Sequence, residues 1–224
     1  MDPPPYDLTY KASYKGFSAE ATRSLSRSDD GILSMRSFIE LTLLGQTLTS
    51  IEETATLVHA EDRLLPFEYQ YVQKGLGSRR RSIRFDWVRK FAEARTDDSI
   101  VSLPLDGPIL EDMSAMIWLR QQVAAGETSI TFRAVDRTVI EEFRYEVEAP
   151  EAVETPLGVF RAIKVNRIRD PDSERSTSLW IAPDWGYILV KLEQVESDGS
   201  KLTLELAEGS YDGEPVNIGL EQAR

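Results

Sequence analysis

Few side chains in this sequence have the types and spacing that catalysis requires. The single histidine, His59, ends a polar stretch. A Ser-His-Asp hydrolase would need it, but no nucleophile-elbow motif accompanies it, so it reads as an exposed structural residue. Cysteine is absent, which excludes disulfides and thiolate metal sites. One histidine cannot form a histidine metal cluster, and no calcium-loop pattern is present. Carboxylates are abundant, at 38 residues, so some pair will lie close. The adjacent pairs Glu52-Glu53 and Glu141-Glu142 fall in strand-like segments, where neighbouring side chains point to opposite faces. Neither is a natural acid/base pair for glycosidase chemistry. The expectation is a protein that is not an enzyme and uses no metal or cofactor.

Binding chemistry is better represented. Lys74, Arg79, Arg80, Arg81, Arg84, Arg89 and Lys90 crowd one short stretch of an acidic chain. Guanidinium forks match phosphate and carboxylate, so this cluster could grip an anionic head group or an acidic partner. It could equally be a solvated face paired with acids on neighbouring strands. Phe85 and Trp87 form an aromatic stripe beside it, with Trp118 and Trp180 later in the chain. Met113, Met116 and Trp118 share a segment with Arg120 and make an adaptable apolar surface. A ligand-binding set is therefore expected from Arg84, Phe85, Trp87, Met113, Met116, Trp118 and Arg120. Against it stands simple core packing, the usual fate of large apolar side chains.

The elements that must position these residues are almost all strands. Phe17, Ala19, Ala21 and Leu25 alternate with Ser18, Glu20, Thr22 and Ser24, which is the period of a half-buried strand. Asp30-Gly31 and Asp198-Gly199 are hairpin turns. Gly45 breaks a third strand that begins near Ile32. Arg80 to Phe91 reads as one strand, with Ile83, Phe85, Trp87 and Phe91 on one face. The whole pattern gives about twelve or thirteen strands joined by short turns, an antiparallel meander. One helix interrupts it, over about 111–125. Glu111 or Asp112 serves as N-cap and Gly126 as the residue after the C-cap. The expected fold is all-β: a large coiled sheet forming an open or spiral β-barrel, with the helix covering its concave face or open end. Residues 1–5 read as a disordered lead-in, 6–208 as one domain and 209–224 as a tail.

The formal charge of −12 argues against a nucleic-acid partner. No run approaches the roughly 18–20 apolar residues of a membrane span. The opening MDPPPYDLTY has neither a basic n-region nor an apolar h-region. The plain reading is a cytoplasmic protein, and the abrupt entry into a strand leans slightly toward a chain from which a leader has been removed.

Four segments carry a family resemblance. Met113-Ser114-Ala115-Met116-Ile117-Trp118-Leu119-Arg120 resembles the D-P-L-S-A-x-Y-x-L-R segment of a bacterial envelope family known as domain of unknown function 3108. Ile83-Arg84-Phe85-Asp86-Trp87 is similar to its basic strand ending in Phe-Asp. Glu154 to Phe160 is similar to its T-P-x-G-x-F strand entry, and Ser178 to Asp184 to its Trp-Asp hairpin. The resemblance runs from about Tyr6 to Leu206. Two departures stand out. Glu111-Asp112 replaces the family's Asp-Pro, and Tyr187 to Val190 lacks a proline often found there.

The resemblance implies export to the periplasm or outer membrane. It also implies a fold similar to the unclosed barrels of lipoprotein carriers, whose concave face holds acyl chains. It brings no functional residues with it. The expectation is an envelope protein holding a lipid-like or other amphipathic ligand, or a hydrophobic peptide. The alternative is a structural or interaction protein of the envelope, with a filled barrel and a protein partner.

Overall fold

In the first strand Tyr6, Leu8, Tyr10 and Ala12 are buried, while Asp7, Lys11 and Ser13 are exposed or nearly so. That alternation puts one face against a core and repeats around the molecule. The computed structural model describes residues 3–43, 46–60 and 63–217. Among them the strands are β1 (Tyr6–Tyr14), β2 (Phe17–Arg27), β3 (Leu33–Leu43), β4 (Gln46–Ala60), β5 (Arg63–Gly75), β6 (Arg79–Asp86), β7 (Phe91–Thr96) and β8 (Ile100–Pro104). The helix α1 (Asp112–Ala124) follows. Then come β9 (Ser129–Asp136), β10 (Val139–Thr155), β11 (Gly158–Ile168), β12 (Ser176–Ala182), β13 (Ile188–Val195), β14 (Lys201–Tyr211) and β15 (Glu214–Pro215).

All fifteen belong to one sheet, in the order β8 to β1, then β14 down to β9, with β15 beside β14. Every strand pairing is antiparallel. The sheet does not close. Its two edges are β8 and β9, and α1 with its flanking loops connects them. The first and last long strands pair in the middle of the sheet, Tyr6 opposite Tyr211 and Tyr14 opposite Leu202.

Cross-strand register sorts the inner face into rows. One runs Tyr6, Leu25, Met35, Ala55, Tyr69, Ile83, Ala94, almost wholly apolar. The next row runs Leu8, Arg23, Ser37, Glu53, Tyr71, Arg81 and is mostly polar. Phe160, Leu206 and Tyr10 continue the core beneath β11, β14 and β1.

The open, coiled all-β architecture matches the sequence reading, with two differences in detail. The expected strand over Arg80 to Phe91 is two strands. Asp86 Oδ1 accepts a hydrogen bond from Arg89 N at 2.8 Å, and Lys90 takes a left-handed φ of 59°. Together they make a turn, which accounts for part of the higher strand count. The sheet also continues past residue 208. β14 runs to Tyr211, β15 pairs with it, and Val216 is buried. Asp212 N donates to Pro5 O at 2.8 Å, tying the start of the chain to this end. The break expected at Gly45, and positions 218–224, lie outside the described residues.

Candidate functional site

The helix start is built by a reciprocal cap. Glu111 carboxylate oxygens accept from Met113 N at 2.7 Å and Ser114 N at 2.8 Å, and Ser114 Oγ accepts from Glu111 N at 3.0 Å. This inverts the common Ser-x-x-Glu capping box. Just upstream, Leu110 N donates to Arg133 O and Leu110 O accepts from Val135 N, both at 2.9 Å. That short parallel bridge pins the helix entry to the β9 edge. The helix ends at Ala125, and Gly126, at φ 88°, turns the chain away. Buried positions lie on most sides of α1, from Met113 and Ser114 to Leu119 and Val123, as expected of a helix enclosed by a curved sheet.

Between α1 and the inner face lies a cavity of about 240 Å³. Its apolar wall includes Leu8, Met35, Met113, Met116 and Leu189, and its charged groups are Arg23, Arg36, Glu53, Asp112, Arg120 and Arg167. Four cations face two acids there, although the chain as a whole carries −12. Arg120 is the most enclosed cation, at 7% exposure. Its Nη2 donates to Gly186 O at 2.8 Å, and its guanidinium lies 5.3 Å from the centre of the Tyr6 ring. It has no carboxylate partner among the described residues. Gly186 has a φ of 58°, and a side chain there would collide with the Tyr211 hydroxyl, so the carbonyl that receives Arg120 depends on glycine.

The acids are gathered on one hydroxyl. Tyr69 donates to Glu53 Oε1 at 2.6 Å and lies 3.4 Å from Asp112 Oδ2. Partial desolvation of the carboxyl at the cavity, with Glu53 and Asp136 nearby, pushes Asp112 up to about 7, against the pull of Arg81 and the Tyr69 hydroxyl, while the residue as a whole is exposed. Burial likewise raises Glu111 to about 7, against its backbone hydrogen bonds. The Tyr69 hydroxyl is held neutral by burial and by Glu53 and Asp112. Tyr10, raised mainly by its own burial, donates to Leu189 O at 2.9 Å.

A second concavity, of about 460 Å³, lies at the β6–β7 tip. Phe67, Phe85, Trp87, Val88 and Phe91 line it with Arg84 and Arg89. The Phe85 and Trp87 rings stack with centres 5.7 Å apart, and Trp87 Nε1 donates to Pro66 O at 2.8 Å. Val88 is 94% exposed.

A family model described as a protein of unknown function (DUF3108) matches residues 6–207. The chain belongs to the DUF3108 family. Among solved structures, this DUF3108 member is similar to a β-barrel-like protein of domain of unknown function DUF1849 from Brucella abortus. The TM-score is 0.61 at 10% identity, over 94% of this chain and 99% of that one, a likeness of fold. No curated protein matches the sequence.

The fold divides the residues singled out in the sequence. Met113, Met116 and Arg120 meet at the cavity. Arg84, Phe85 and Trp87 meet at the β6–β7 tip instead. Trp118 is 39% exposed and lines neither. The basic cluster is also split. Arg84 and Arg89 pair with Glu68 at 3.4 Å and Asp86 at 3.8 Å, while Arg79 and Arg81 lie over the Tyr71 ring. His59 is exposed on β4, as are Glu141 and Glu142 on β10. Among the described residues no group of histidines and carboxylates has the arrangement of a metal site. Arg23 and Arg167 escaped the sequence reading, and Glu53 and Asp112 entered it only as a strand carboxylate and an N-cap candidate rather than as cavity residues. One signal was available: Arg23 lies between Ala21 and Leu25 on the apolar face of its strand.

Proposed function

We propose that this protein holds a small amphipathic ligand with an anionic head in the cavity beneath α1. The observation that carries the reading is Arg120, a buried guanidinium with no carboxylate partner among the described residues, in a cavity where cations outnumber acids and whose apolar wall includes Met35, Met113 and Met116. An enclosed unpaired charge is costly, and a ligand carboxylate or phosphate would offset that cost with a forked hydrogen bond. Burial of the tail against Met35, Met113 and Met116 would supply most of the affinity. The cavity is smaller than the roughly 300–1,000 Å³ of sites for drug-sized ligands, so the fit is to a single short chain rather than a two-chain lipid. The cell envelope is the setting that the reading assigns to this binding, and fractionation of cells expressing the natural gene checks it.

Titration with a dansylated fatty acid tests the ligand. Saturable fluorescence enhancement is expected, weakened at least ~10-fold by Arg120→Gln, in keeping with the loss of a charge-assisted hydrogen bond. Native mass spectrometry of gently purified protein should show a bound mass. A clean unliganded mass together with no saturable probe binding would overturn the reading.

A second reading, an interaction protein of the envelope, draws on the β6–β7 tip, where Val88 projects beside Trp87 and Phe67. Photocrosslinking from position 88 in cells would give a discrete product if a partner docks there, and none if it does not.

A further inference from the structure

The cation excess is not confined to Arg120. On the far part of the same inner face, Arg167, Arg169 and Arg175 converge where β11 ends and β12 begins. Arg167 lies over the Phe143 ring at 4.2 Å and lines the cavity with Thr177 and Gln194. Arg169 is anchored by one bond, from Nη2 to Thr177 Oγ1 at 3.0 Å. Its Nε is buried without any hydrogen-bond partner. Burial and the neighbouring Arg167 and Arg175 guanidiniums lower the Arg169 pKa below its ordinary range, with Tyr145 and Glu196 acting the other way. Glu196 is committed to Arg175, at 2.9 Å. Asp170, Asp172 and Glu174 are exposed in the adjoining turn and form no ion pair with Arg167 or Arg169. Elsewhere the exposed arginines of this acidic chain commonly find carboxylates, as Arg36, Arg95, Arg133 and Arg144 do. Here two guanidiniums crowd each other and neither is paired.

We infer that Arg167, Arg169 and Thr177 form an oxyanion site that takes a phosphate group. Like charges held close in a partly dry place are stabilised by an anion between them, and two forks plus a hydroxyl suit a tetrahedral oxyanion with several acceptor oxygens. The site is distinct from Arg120. That side chain is anchored at Gly186, beyond the other end of β12, and Thr177 to Ala182 alone spans about 16 Å of strand at ~3.3 Å per residue. The proposal therefore does not require a ligand at Arg120. The phosphate could be free or could be the head group of a lipid reaching the cavity from this side.

Calorimetric titration near neutral pH and low ionic strength tests it, with two probes: inorganic phosphate and dihexanoyl phosphatidic acid. Saturable binding of at least one is expected. Arg167→Gln and Arg169→Gln should each weaken it at least ~10-fold, the scale of one lost charge-assisted hydrogen bond. Arg161→Gln, an exposed position on β11, should leave it unchanged. Binding of both probes with similar affinity means that the site reads the oxyanion alone, and binding of the lipid only means that it reads a head group. Thermal melting gives an independent reading. Relief of crowding should raise the melting temperature of Arg169→Gln at low salt, and phosphate should raise that of the wild type but not of the variant. No saturable binding of either probe, or binding that both variants retain, would overturn the proposal.

Discussion

Asp112 offers a sharp test of the physical account of the cavity. Asp112 is a solvent-exposed residue at the start of α1 whose carboxyl reaches the Tyr69 hydroxyl; partial desolvation, Glu53 and Asp136 disfavour its charge, while Arg81 and Tyr69 favour it. The ordinary value of 3.8 rises to about 7. An acid whose pKa is raised by folding binds its proton more tightly in the folded state. Its penalty is absent below the unfolded value and grows as pH climbs through the window between the two. Stability should therefore fall from about pH 4 to about pH 7 and then level off. The span of roughly three pKa units would be about 4 kcal/mol for an enclosed acid, at ~1.36 kcal/mol each, but Asp112 is exposed and solvent screening cuts the effect to about 1 kcal/mol.

Asp112→Asn keeps the shape and removes the titration. Above neutrality the variant should exceed the wild type by up to about 1 kcal/mol, equivalent to roughly 2–4 °C in melting temperature for a chain of this size. Near pH 4 the two should coincide within about 0.5 kcal/mol. Glu111 still titrates, so the variant's profile flattens without becoming level. Urea denaturation at several values between about pH 4 and pH 8 reads the difference directly. Parallel profiles, with a constant offset across that range, would show that partial desolvation and the neighbouring acids do not govern the ionisation of Asp112 and would refute the reasoning.

Three further substitutions probe the same frame. Tyr69→Phe deletes the hydroxyl that donates to Glu53 and should cost about 1–3 kcal/mol, more at high pH, measured by urea denaturation. Gly186→Ala forces a side chain into left-handed backbone and against Tyr211, at a cost of about 1–3 kcal/mol, and Tyr211→Ala should recover part of that loss in a double-mutant cycle. Phe160→Ala empties a fully enclosed core position and should cost about 3–5 kcal/mol with no change in dansyl fatty acid affinity, because Phe160 does not line the cavity.

The sequence made the strands legible because an antiparallel sheet with one wet face writes its alternation directly into the chain, as in β1 and β2. The helix was legible for a different reason: Glu111 and Gly126 mark its ends, and no β-branched run crosses it. The site was less so. Met113, Met116 and Arg120 could be paired from one helix, but the wall opposite them comes from strands up to 179 residues from one another in the chain, such as those of Tyr10 and Leu189. Register across that distance leaves no local trace. The split of the basic cluster has the same origin, since a turn at Trp87–Lys90 sends neighbours in sequence to a hairpin tip and its two faces.

The pairing of β1 with β14 also bears on how the molecule comes to exist. Each of the other long strand neighbours is joined by a turn and can zip locally. Only this seam must wait, because Ser13 meets Thr203 across 190 residues of chain. Two separate meanders, β1–β8 and β9–β14, can assemble while the chain is still being made, each with an unsatisfied strand at its open side. Loop closure over such a length is entropically expensive but grows only slowly with chain length. The seam is thus the expected slow step of folding, and until it forms β1 presents its free edge to any strand that arrives first.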